Sequence, residues 1–314
     1  MGTKANPSIA ARTVCLIDRL APLEGYNLTA LPGVRLLRSN RPLSRTPVLY
    51  DPGIVIVCQG RKRGYWGGEC YVYDAQHYLA VSVPVPFVME TDASPESPLL
   101  AIYFHLDVPM AMELLLQLEA HNAPPVAEPR GMMASPMEAP LHDTVLRFLE
   151  ALASPLDSQM LGPSLVREIY YRILTGPQGG TMRAALNPEG GFGRISRAIR
   201  RIHDDYAQPL SVQSLATEAS MSMPRFHANF RAVTRTSPIQ YLKSIRLHQA
   251  RLLMFRHGMT ASSALTAVGY ESASHFSREF KRFFGRTPLE EVAHMRQSFA
   301  LPPPTGPNRY VSSH

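Results

Sequence analysis

The stretch that decides the fold is MSMPRFHANFRAVTRTSP, residues 221–238, together with its second copy ESASHFSREFKRFFGRTP, residues 271–288. The two align at an offset of 50 residues, which places Phe226 over Phe276 and repeats a second phenylalanine four residues later. Each copy also ends in a hydroxyl residue followed by proline. A duplicated unit of this size, with a short helix, a turn and a second helix, is typical of paired helix-turn-helix modules.

The first helix of each module is indicated by its capping residue. Ser211 and Thr260 precede apolar positions, as N-cap residues do. The same offset places Leu215 on Leu265, and Gly269 supplies the turn of the second module because glycine tolerates a left-handed backbone. Each module is therefore expected to begin with a short capped helix.

The second helix of each module carries an aromatic stripe. Phe226 and Phe230 are four residues apart, and residues with this spacing share one face of a helix. In the second copy, Phe276, Phe280 and Phe283 form the corresponding stripe. We predict that both stripes are buried.

A continuous helix is predicted for residues 239–257, which join the two modules. Tyr241, Ile245 and Leu253 are among its apolar positions. At about 1.5 Å per residue this helix would be about 28 Å long. That length approaches the roughly 34 Å between successive major grooves on one face of DNA. Two recognition helices in one chain could therefore enter neighbouring grooves.

The positive charge is concentrated around the repeat. Residues 193–297 contain 16 Lys+Arg and 7 Asp+Glu, a net charge of +9, whereas the remainder of the chain has a net charge of −2. A basic region joined to a nearly neutral one is expected when a DNA-binding module is joined to a domain with another role. Double-stranded DNA is therefore the predicted partner of residues 193–297.

Two long segments carry a family resemblance. MSMPRFHANFRAVTRTSPIQYLKSIRLHQARLLM (221–254) and VGYESASHFSREFKRFFGRTP (268–288) resemble the DNA-binding domain of AraC/XylS-family transcription regulators. Upstream, PVLYDPGIVIVCQGRKRGY (47–65), YVYDAQHYLAVSVPVPF (71–87) and REIYYRILTGPQG (167–179) resemble the cupin-like N-terminal domain of one subgroup. The resemblance implies a transcription regulator, usually an activator, that acts with RNA polymerase.

Helical geometry selects the residues that would contact DNA. With the phenylalanines facing inward, steps of about 100° per residue place other side chains on the opposite face of each recognition helix. The predicted base-contacting residues are Pro224, Arg225, His227, Ala228, Ser274, His275 and Arg278. The predicted contacts to the DNA backbone are Ser222, Arg231, Ser272, Lys281 and Arg282. The resemblance implies the same stretches, since the family's base contacts fall there.

The two recognition helices differ in the readout they offer. Arg278 can pair bidentately with guanine, whereas Pro224 and Ala228 offer only apolar contact to a thymine methyl group. The alternative for Arg278 is a surface charge paired with a neighbouring glutamate.

The N-terminal part of the chain changes to strand-like periodicity. Short runs rich in Val, Ile, Tyr and Phe, separated by Pro and Gly, predict strands at 53–59, 70–73, 78–85 and 99–106. Helices are predicted at 110–118, 141–152 and 165–174. Together with the resemblance, these elements predict an α+β chain: a cupin-like β-barrel with a helical hairpin, then an all-α domain.

Turn-rich residues 176–191 mark the domain boundary. We predict an effector or dimerisation domain at 13–180 and a DNA-binding domain at 193–297, with helix-turn-helix motifs at about 212–233 and 260–284. Residues 1–12 and 301–314 are expected to be disordered.

An effector pocket is predicted at the mouth of the barrel, because such barrels bind small molecules there. The candidate residues are Tyr65, Trp66, Tyr73, Tyr78, Phe87 and Tyr103. Core packing explains these aromatic residues nearly as well. The basic run at 61–63 could attract an anionic effector, although a solvated hairpin tip is the simpler interpretation.

No cofactor or metal is expected, and the chain is not predicted to be an enzyme. His77, Glu90 and His105 are the metal-ligand candidates of the barrel, but no His-x-His pair brings two such ligands together. A Gly-x-Ser-x-Gly motif and a phosphate-binding glycine loop are also missing from the sequence.

The cysteines Cys15, Cys58 and Cys70 are too few for a zinc module or a disulfide framework. Cys58 lies in a strand run and is interpreted as a small core residue, with an electrophile- or oxidant-sensing thiol as the alternative. With neither a signal peptide nor a long apolar run, a cytoplasmic location is expected.

The oligomeric state and the sign of regulation stay open. The helices at 141–152 and 165–174 could form a homodimer interface or pack against the barrel. The predicted function is a DNA-binding regulator controlled by a small-molecule effector, with a ligand-independent regulator, a sensor based on Cys58 or a repressor as alternatives.

Overall fold

The computed structural model describes residues 8–120, 130–187 and 190–298. Its N-terminal part begins with helix α1 (Ile9–Leu20) and continues with nine strands. These are β1 (Gly25–Leu28), β2 (Val34–Ser39), β3 (Leu43–Tyr50), β4 (Gly53–Gln59), β5 (Arg61–Trp66), β6 (Glu69–Asp74), β7 (His77–Val81), β8 (Val85–Asp92) and β9 (Leu99–His105). Helix α2 (Val108–Glu119) and strand β10 (Met132–Pro136) follow.

All the described strands form one antiparallel sheet. Its order is β1-β2-β9-β4-β7-β6-β5-β8-β3, with β10 also paired to β7. Strand alternation gives the sheet two buried faces: Val55 and Val57 belong to one apolar cluster, and Ile54 and Ile56 belong to the other. The cupin-like β-barrel predicted from the sequence is present as an antiparallel half-barrel sheet.

Four helices follow β10: α3 (Ala139–Leu152), α4 (Pro155–Met160), α5 (Gly162–Thr175) and α6 (Gly179–Leu186). Leu141, Val145, Phe148 and Leu149 of α3 are buried in the same cluster as the outer face of the sheet. Phe148 packs against Phe104 of β9, with ring centroids 5.3 Å apart and the rings tilted by 52°. The apolar stripe of the predicted hairpin is therefore used against the barrel.

The C-terminal part of the described chain is helical. It consists of α7 (Gly191–Asp205), α8 (Val212–Glu218), α9 (Met223–Thr234), α10 (Pro238–His257), α11 (Ala261–Ala267), α12 (Ala273–Phe284) and α13 (Pro288–Ser298). Ser211 caps α8 through the Ser214 amide, and Thr260 caps α11 through the Ser263 amide. The predicted α+β architecture, with two helix-turn-helix motifs joined by a long helix, is confirmed.

The two modules differ from the predicted alignment by one residue. The N-caps Ser211 and Thr260 correspond, and so do the left-handed turn residues Ser220 and Gly269. The first helices of the two modules therefore align at an offset that is one residue shorter than the offset of 50 between the second helices. The extra residue in the second module is Glu271, which lies before α12. Pairing Leu215 with Leu265 was wrong, because the turn of the second module is longer.

Three other expectations were wrong. The buried stripe of α12 is completed by Phe284, and Phe283 is only partly buried. Helix α1 includes residues 9–12, which were expected to be disordered, and α1 packs on α3 and β4. Strands β1 to β3, β5 and β10 were not predicted, and the strand predicted at 78–85 covers β7 but only the start of β8. Residues 1–7 and 299–314 lie outside the described residues, as do residues 188–189 of the predicted boundary.

The half-barrel packs directly on the helix-turn-helix part. One apolar cluster runs from Val81 and Phe87 in the sheet to Phe226 and Tyr241 in the helices. The Tyr241 hydroxyl donates to the Pro84 carbonyl at 2.6 Å. The described helices include none that is both long and apolar enough to cross a lipid bilayer.

Asp51, at the end of β3, gives this interface a pH dependence. Burial raises the pKa of Asp51 to about 7, although Arg35 of β2 and Arg256 of α10 oppose the shift. Its Oδ1 has no hydrogen-bond donor among the described residues. In an unfolded chain the carboxyl ionises from its ordinary pKa of 3.8, so the folded protein loses stability as the pH rises from there to about 7.

We expect Asp51→Asn to raise the melting temperature at pH 8 by at least about 3 °C and to change it little at pH 4. Calorimetry of both proteins across this range is the measurement. An equal effect at both pH values would contradict the assignment, because a group without a shifted pKa gives no pH-dependent difference.

Candidate nucleic-acid interface and effector cleft

Helix α9 presents a polar surface over a buried aromatic pair. Phe226 and Phe230 are 0% exposed, and their ring centroids are 5.5 Å apart. The residues predicted to contact DNA on this side, Ser222, Pro224, Arg225, His227, Ala228 and Arg231, are all exposed. Their exposure follows from the inward position of the phenylalanines, since the helix turns about 100° per residue.

Helix α12 repeats this arrangement in the second module. Phe276 and Phe280 are 0% exposed, with ring centroids 5.5 Å apart. Its predicted contacts Ser272, Ser274, His275, Arg278, Lys281 and Arg282 are all exposed. Within residues 8–120, 130–187 and 190–298, Arg278 forms no ion pair, because the neighbouring Glu279 bonds to other side chains. The guanidinium of Arg278 is therefore available to a base.

Helix α10 sets the distance between the two recognition helices. It spans 20 residues, from Pro238 to His257, which corresponds to about 30 Å. Ser237 caps its start, and Gly258 ends it in a left-handed conformation with φ 64°. Tyr241 and Ile245 pack on the first module, whereas Leu247 and Met254 pack on the second.

Glu279 connects α12 to α10 from the buried side. Its carboxylate accepts hydrogen bonds from Lys243 Nζ at 2.7 Å and from the Tyr270 hydroxyl at 2.7 Å. His275 Nε2 and an Arg282 nitrogen lie 3.4 and 3.6 Å from the same carboxylate. Burial alone would raise the pKa of Glu279, but the hydrogen bonds from Lys243 and Tyr270 lower it overall.

The sequence analysis considered a neighbouring glutamate only as a surface partner of Arg278, and so it missed the buried position of Glu279. The available signal was a single carboxylate beside Phe280 in a helix whose other charged residues are basic. Two predicted DNA contacts, His275 and Arg282, are thus within reach of a buried anion.

A cleft of about 430 Å³ lies between the half-barrel and the helix-turn-helix part. The sheet contributes residues 47, 65–67 and 86–88, and the helical part contributes residues 234–236, 240, 243, 244, 247, 279, 282 and 283. These residues come from the end of α9, from α10 and from α12. The cleft therefore touches both recognition helices and the helix that joins them.

The predicted effector residues divide among three places. Tyr65, Trp66 and Phe87 line the cleft. Tyr73 and Tyr103 are buried in the apolar cluster of the inner face. Tyr78 lies in the outer cluster, beside α3 and α5. The structure thus brings together three of the six at a cavity.

Arg235 joins the end of α9 to the turn between β5 and β6. Its backbone is left-handed, with φ 57°, where the second module has Gly285. The left-handed conformation destabilises a residue with a Cβ by about 1 kcal/mol or more. Its guanidinium lies 5.9 Å from the centre of the Trp66 ring and 3.9 Å from Glu69. The stem of Arg235 occupies the space that a Cβ on Gly67 would need.

Lys62 corrects the interpretation of the basic run at 61–63. The run lies in β5, and alternation along the strand turns Lys62 into the interior, where it is fully buried. Its Nζ donates to the Tyr50 hydroxyl at 3.2 Å, and burial holds the pKa of Lys62 well below its ordinary value. The prediction of a solvated hairpin tip was therefore wrong for Lys62.

The metal-ligand candidates lie apart and have protein partners. His77 Nδ1 is 3.2 Å from Asp74, Glu90 accepts from the Tyr65 hydroxyl at 2.8 Å, and His105 Nδ1 is 3.5 Å from the Tyr103 hydroxyl. Across the described ranges, no three metal-ligating side chains form a group that could hold an ion.

Two family models match this chain. The model of the AraC-type transcriptional regulator N-terminus matches residues 30–181, and a helix-turn-helix domain model matches residues 215–293. Together the two matches cover more than two thirds of the chain.

Two curated relatives match about a third of this chain. The chain is 32% identical over 107 residues to the HTH-type transcriptional regulator AlkR of Acinetobacter baylyi, which covers 34% of this chain and 33% of AlkR. It is 34% identical over 104 residues to the RCS-specific HTH-type transcriptional activator RclR of Escherichia coli, which covers 33% of this chain and 37% of RclR. The chain therefore matches these relatives over about a third of their length.

Among solved structures, the fold resembles ToxT from Vibrio cholerae, with a TM-score of 0.56 at 12% identity over 83% of this chain and 98% of ToxT. A ToxT structure with a bound unsaturated fatty acid gives a TM-score of 0.55 at 14% identity, over 86% of this chain and 97% of that protein. At such identity the likeness shows the fold alone. Because the N-terminal model and the helix-turn-helix model both match, and the curated relatives are regulators of the same kind, the chain belongs to the AraC/XylS family of transcriptional regulators, in the subgroup with the AraC-type N-terminal domain.

Proposed function

We propose that the chain is a sequence-specific DNA-binding transcription regulator that reads one asymmetric site through two major grooves. The observation that carries this proposal is the pair of exposed polar faces on α9 and α12, each backed by two fully buried phenylalanines and both packed on α10. The exposed faces supply the base contacts and backbone contacts assigned to them above. Because its proposed partner is chromosomal DNA, the protein is expected to act in the cytoplasm.

The sign of regulation and the protein partners are further parts of the proposal. RclR is named as an activator, and so is the matched regulator RhaS of Escherichia fergusonii. We therefore favour activation, with RNA polymerase as a partner. A homodimer would have to use a surface other than the α3 stripe, because that stripe packs on the sheet.

A small-molecule effector is proposed for the cleft between the domains. Three residues selected from sequence, Tyr65, Trp66 and Phe87, line it together with the end of α9. The ToxT structure with a bound unsaturated fatty acid supports a ligand-binding role for this fold. A ligand in the cleft would contact both domains, so it could change how they are held together.

The proposal is tested by selecting genomic fragments that the full chain retains in the presence of excess random DNA. We expect recovery of a small set of fragments that share one asymmetric motif with two parts about one duplex turn apart. Fragments with no common motif would show binding without base discrimination, and would contradict a sequence-specific regulator.

Cys58 is expected to have no sensing role. Burial raises the pKa of Cys58 to about 12, so at neutral pH it is a thiol, whereas reactive cysteines are thiolates. We expect Cys58→Ser to leave the response to aldehydes and peroxide unchanged, as measured by DNA binding before and after treatment. Cys15→Ser, at an exposed cysteine, is the matched control. A response lost in Cys58→Ser alone would restore the sensor hypothesis.

A further inference from the structure

We propose that Arg246 of α10 fixes the distance and angle between the two recognition helices, and so determines which half-site spacing the chain accepts on DNA. The inference rests on the proposed reading of two successive major grooves, and it names the side chain that sets the geometry of that reading. Arg246 lies where the two modules meet, and it is bonded to both.

The guanidinium of Arg246 donates to backbone carbonyls of both modules. Its Nε donates to the Tyr206 carbonyl at 2.7 Å, and its Nη2 donates to the Gln208 carbonyl at 3.0 Å. Both acceptors lie at the end of α7, which packs on α8 and α9 of the first module. Its Nη1 donates to the Gly269 carbonyl at 3.0 Å, in the turn between α11 and α12 of the second module. One planar group therefore spans the junction of the modules.

The carbonyls that Arg246 contacts lie at the negative ends of two helices. Tyr206 is the C-cap of α7, and Gly269 directly follows Val268, the C-cap of α11. The last carbonyls of a helix have no partner within the helix, and the helix dipole stabilises a cation beside them. Hydrogen bonds from a charged donor are also stronger than neutral ones. The guanidinium is therefore held firmly on both sides of the junction.

The modules also touch directly beside Arg246. The backbone of Gly269 is left-handed, with φ 81°, and a Cβ at this position would collide with the Ala207 carbonyl oxygen. The ring of Tyr206 packs against the apolar clusters of both modules. The close approach thus requires glycine as much as the turn does. With Arg246 in place, this junction leaves one module little freedom to rotate against the other.

Each side of the junction leads to a recognition helix. In the first module, Ile202 of α7 is buried in the same apolar cluster as Phe226 of α9. In the second, Tyr270 directly follows the bonded carbonyl, and its hydroxyl donates to Glu279 of α12 at 2.7 Å. Helix α10 alone could bend, as long helices do. A shift at the junction would therefore change how α9 and α12 lie relative to each other.

The geometry of the modules can be measured without DNA. Gln213 and Ser262 are exposed and equivalent, since each lies two residues after the N-cap of the first helix of its module. We would attach spin labels to Gln213→Cys and Ser262→Cys in a chain that also carries Cys15→Ser and Cys70→Ser, because those two cysteines are exposed. Pulsed electron paramagnetic resonance then gives the distance distribution. We expect a narrow distribution with Arg246 present and a broadened or displaced one in Arg246→Met.

The spacing of the half-sites gives the functional readout. We would compare the affinity of the full chain for a selected site with its affinity for the same site carrying one additional base pair between the two parts. The insertion moves one part by about 3.4 Å and turns it by roughly 35° around the duplex axis. We expect the wild type to lose at least about tenfold in affinity, and Arg246→Met to lose about threefold or less, because its modules can adjust.

Two further variants separate positioning from charge. Arg282→Met is the matched control, because Arg282 is an exposed arginine assigned to the DNA backbone. It should weaken binding to both sites alike and leave the penalty for the insertion unchanged. Arg246→Lys keeps the charge but lacks the planar fork that reaches three carbonyls, so it should behave as Arg246→Met does. It also serves as the test if Arg246→Met does not fold.

An unchanged distance distribution or an unchanged insertion penalty in the folded Arg246 variants would overturn the proposal. Helix α10 and the sheet would then suffice to hold the modules in place. Failure of the wild-type chain to select any common DNA motif would instead overturn the proposed function, and the distance measurement would still decide the role of Arg246.

Discussion

Replacing Arg278 by alanine is expected to remove base preference at one position of the site. The side chain is exposed on α12, on the face opposite Phe276, and no carboxylate among the described residues neutralises it. A bidentate contact between arginine and guanine contributes about 1–3 kcal/mol of discrimination, which corresponds to a loss of roughly 5- to 150-fold. Binding to a library of sites randomised at each position is the measurement.

Arg231→Ala and Lys281→Ala are the matched controls, because both residues are exposed and are assigned to the DNA backbone. Each should weaken binding to all sequences alike. Each should also lower the salt dependence of binding, because about one counterion fewer is released when the DNA is bound. An Arg278→Ala protein with an unchanged site preference would contradict the assignment of α12 as a reading helix.

The second large effect is expected at a buried ion pair that ties the domains together. Arg251 of α10 and Glu291 of α13 are 0% and 1% exposed at the side chain, with 3.0 Å between Arg251 Nη1 and Glu291 Oε1. Arg251 also donates to the Pro47 carbonyl of β3 at 3.1 Å and lies 4.5 Å from the centre of the Phe284 ring. It therefore contacts the sheet, α12 and α13 at once.

We expect Glu291→Ala to lower the free energy of unfolding by about 3–5 kcal/mol, because it leaves a buried guanidinium without its counterion. The double variant Arg251→Met with Glu291→Leu should recover much of that loss, since no uncompensated charge remains. Denaturant unfolding of both proteins is the measurement.

Arg201→Ala is the control for an exposed pair, because its partner Asp205 lies at 2.7 Å on the surface of α7. This substitution should lower the free energy of unfolding by less than about 1 kcal/mol. A similarly small cost for Glu291→Ala would show that the buried pair does not hold the domains together.

The helix-turn-helix part could be predicted in detail because local signals agree there. The caps Ser211 and Thr260, the paired phenylalanines and the long apolar pattern of α10 each point to the same structure. The error of one residue between the first helices arose because the turns differ in length: the N-cap of α9 lies two residues after Ser220, whereas the N-cap of α12 lies three residues after the equivalent Gly269. A gap-free alignment cannot show such a difference.

The N-terminal domain was predicted less completely, since its strands are short and mixed in composition. Strand β3 contains Arg45 and Pro47, which obscure its alternation, yet Val48 and Leu49 are fully buried. The burial of Lys62 depends on which face of β5 points inward, and this is decided by pairing with β6 and β8. Local sequence does not contain that information.

The cleft could not be predicted because it is formed by two domains. Tyr65 and Phe87 were selected as aromatic residues of a barrel, but their partners in the cleft, such as Lys243 and Phe283, are far away in sequence. The packing of α10 against β8 and of α12 against β3 brings them together. The left-handed Arg235 was also missed, because its backbone is stabilised by contacts with Trp66 and Glu69 from the other domain.

The central claim is that one polypeptide chain places two recognition helices in successive major grooves on one face of a duplex. Hydroxyl-radical footprinting of the wild-type chain on a selected site tests it most directly, with Arg278→Ala as the comparison. We predict two protected patches about one helical turn apart on the same face, and loss of contact in one patch alone for the variant. A single protected patch, or two patches on opposite faces of the duplex, would contradict the account.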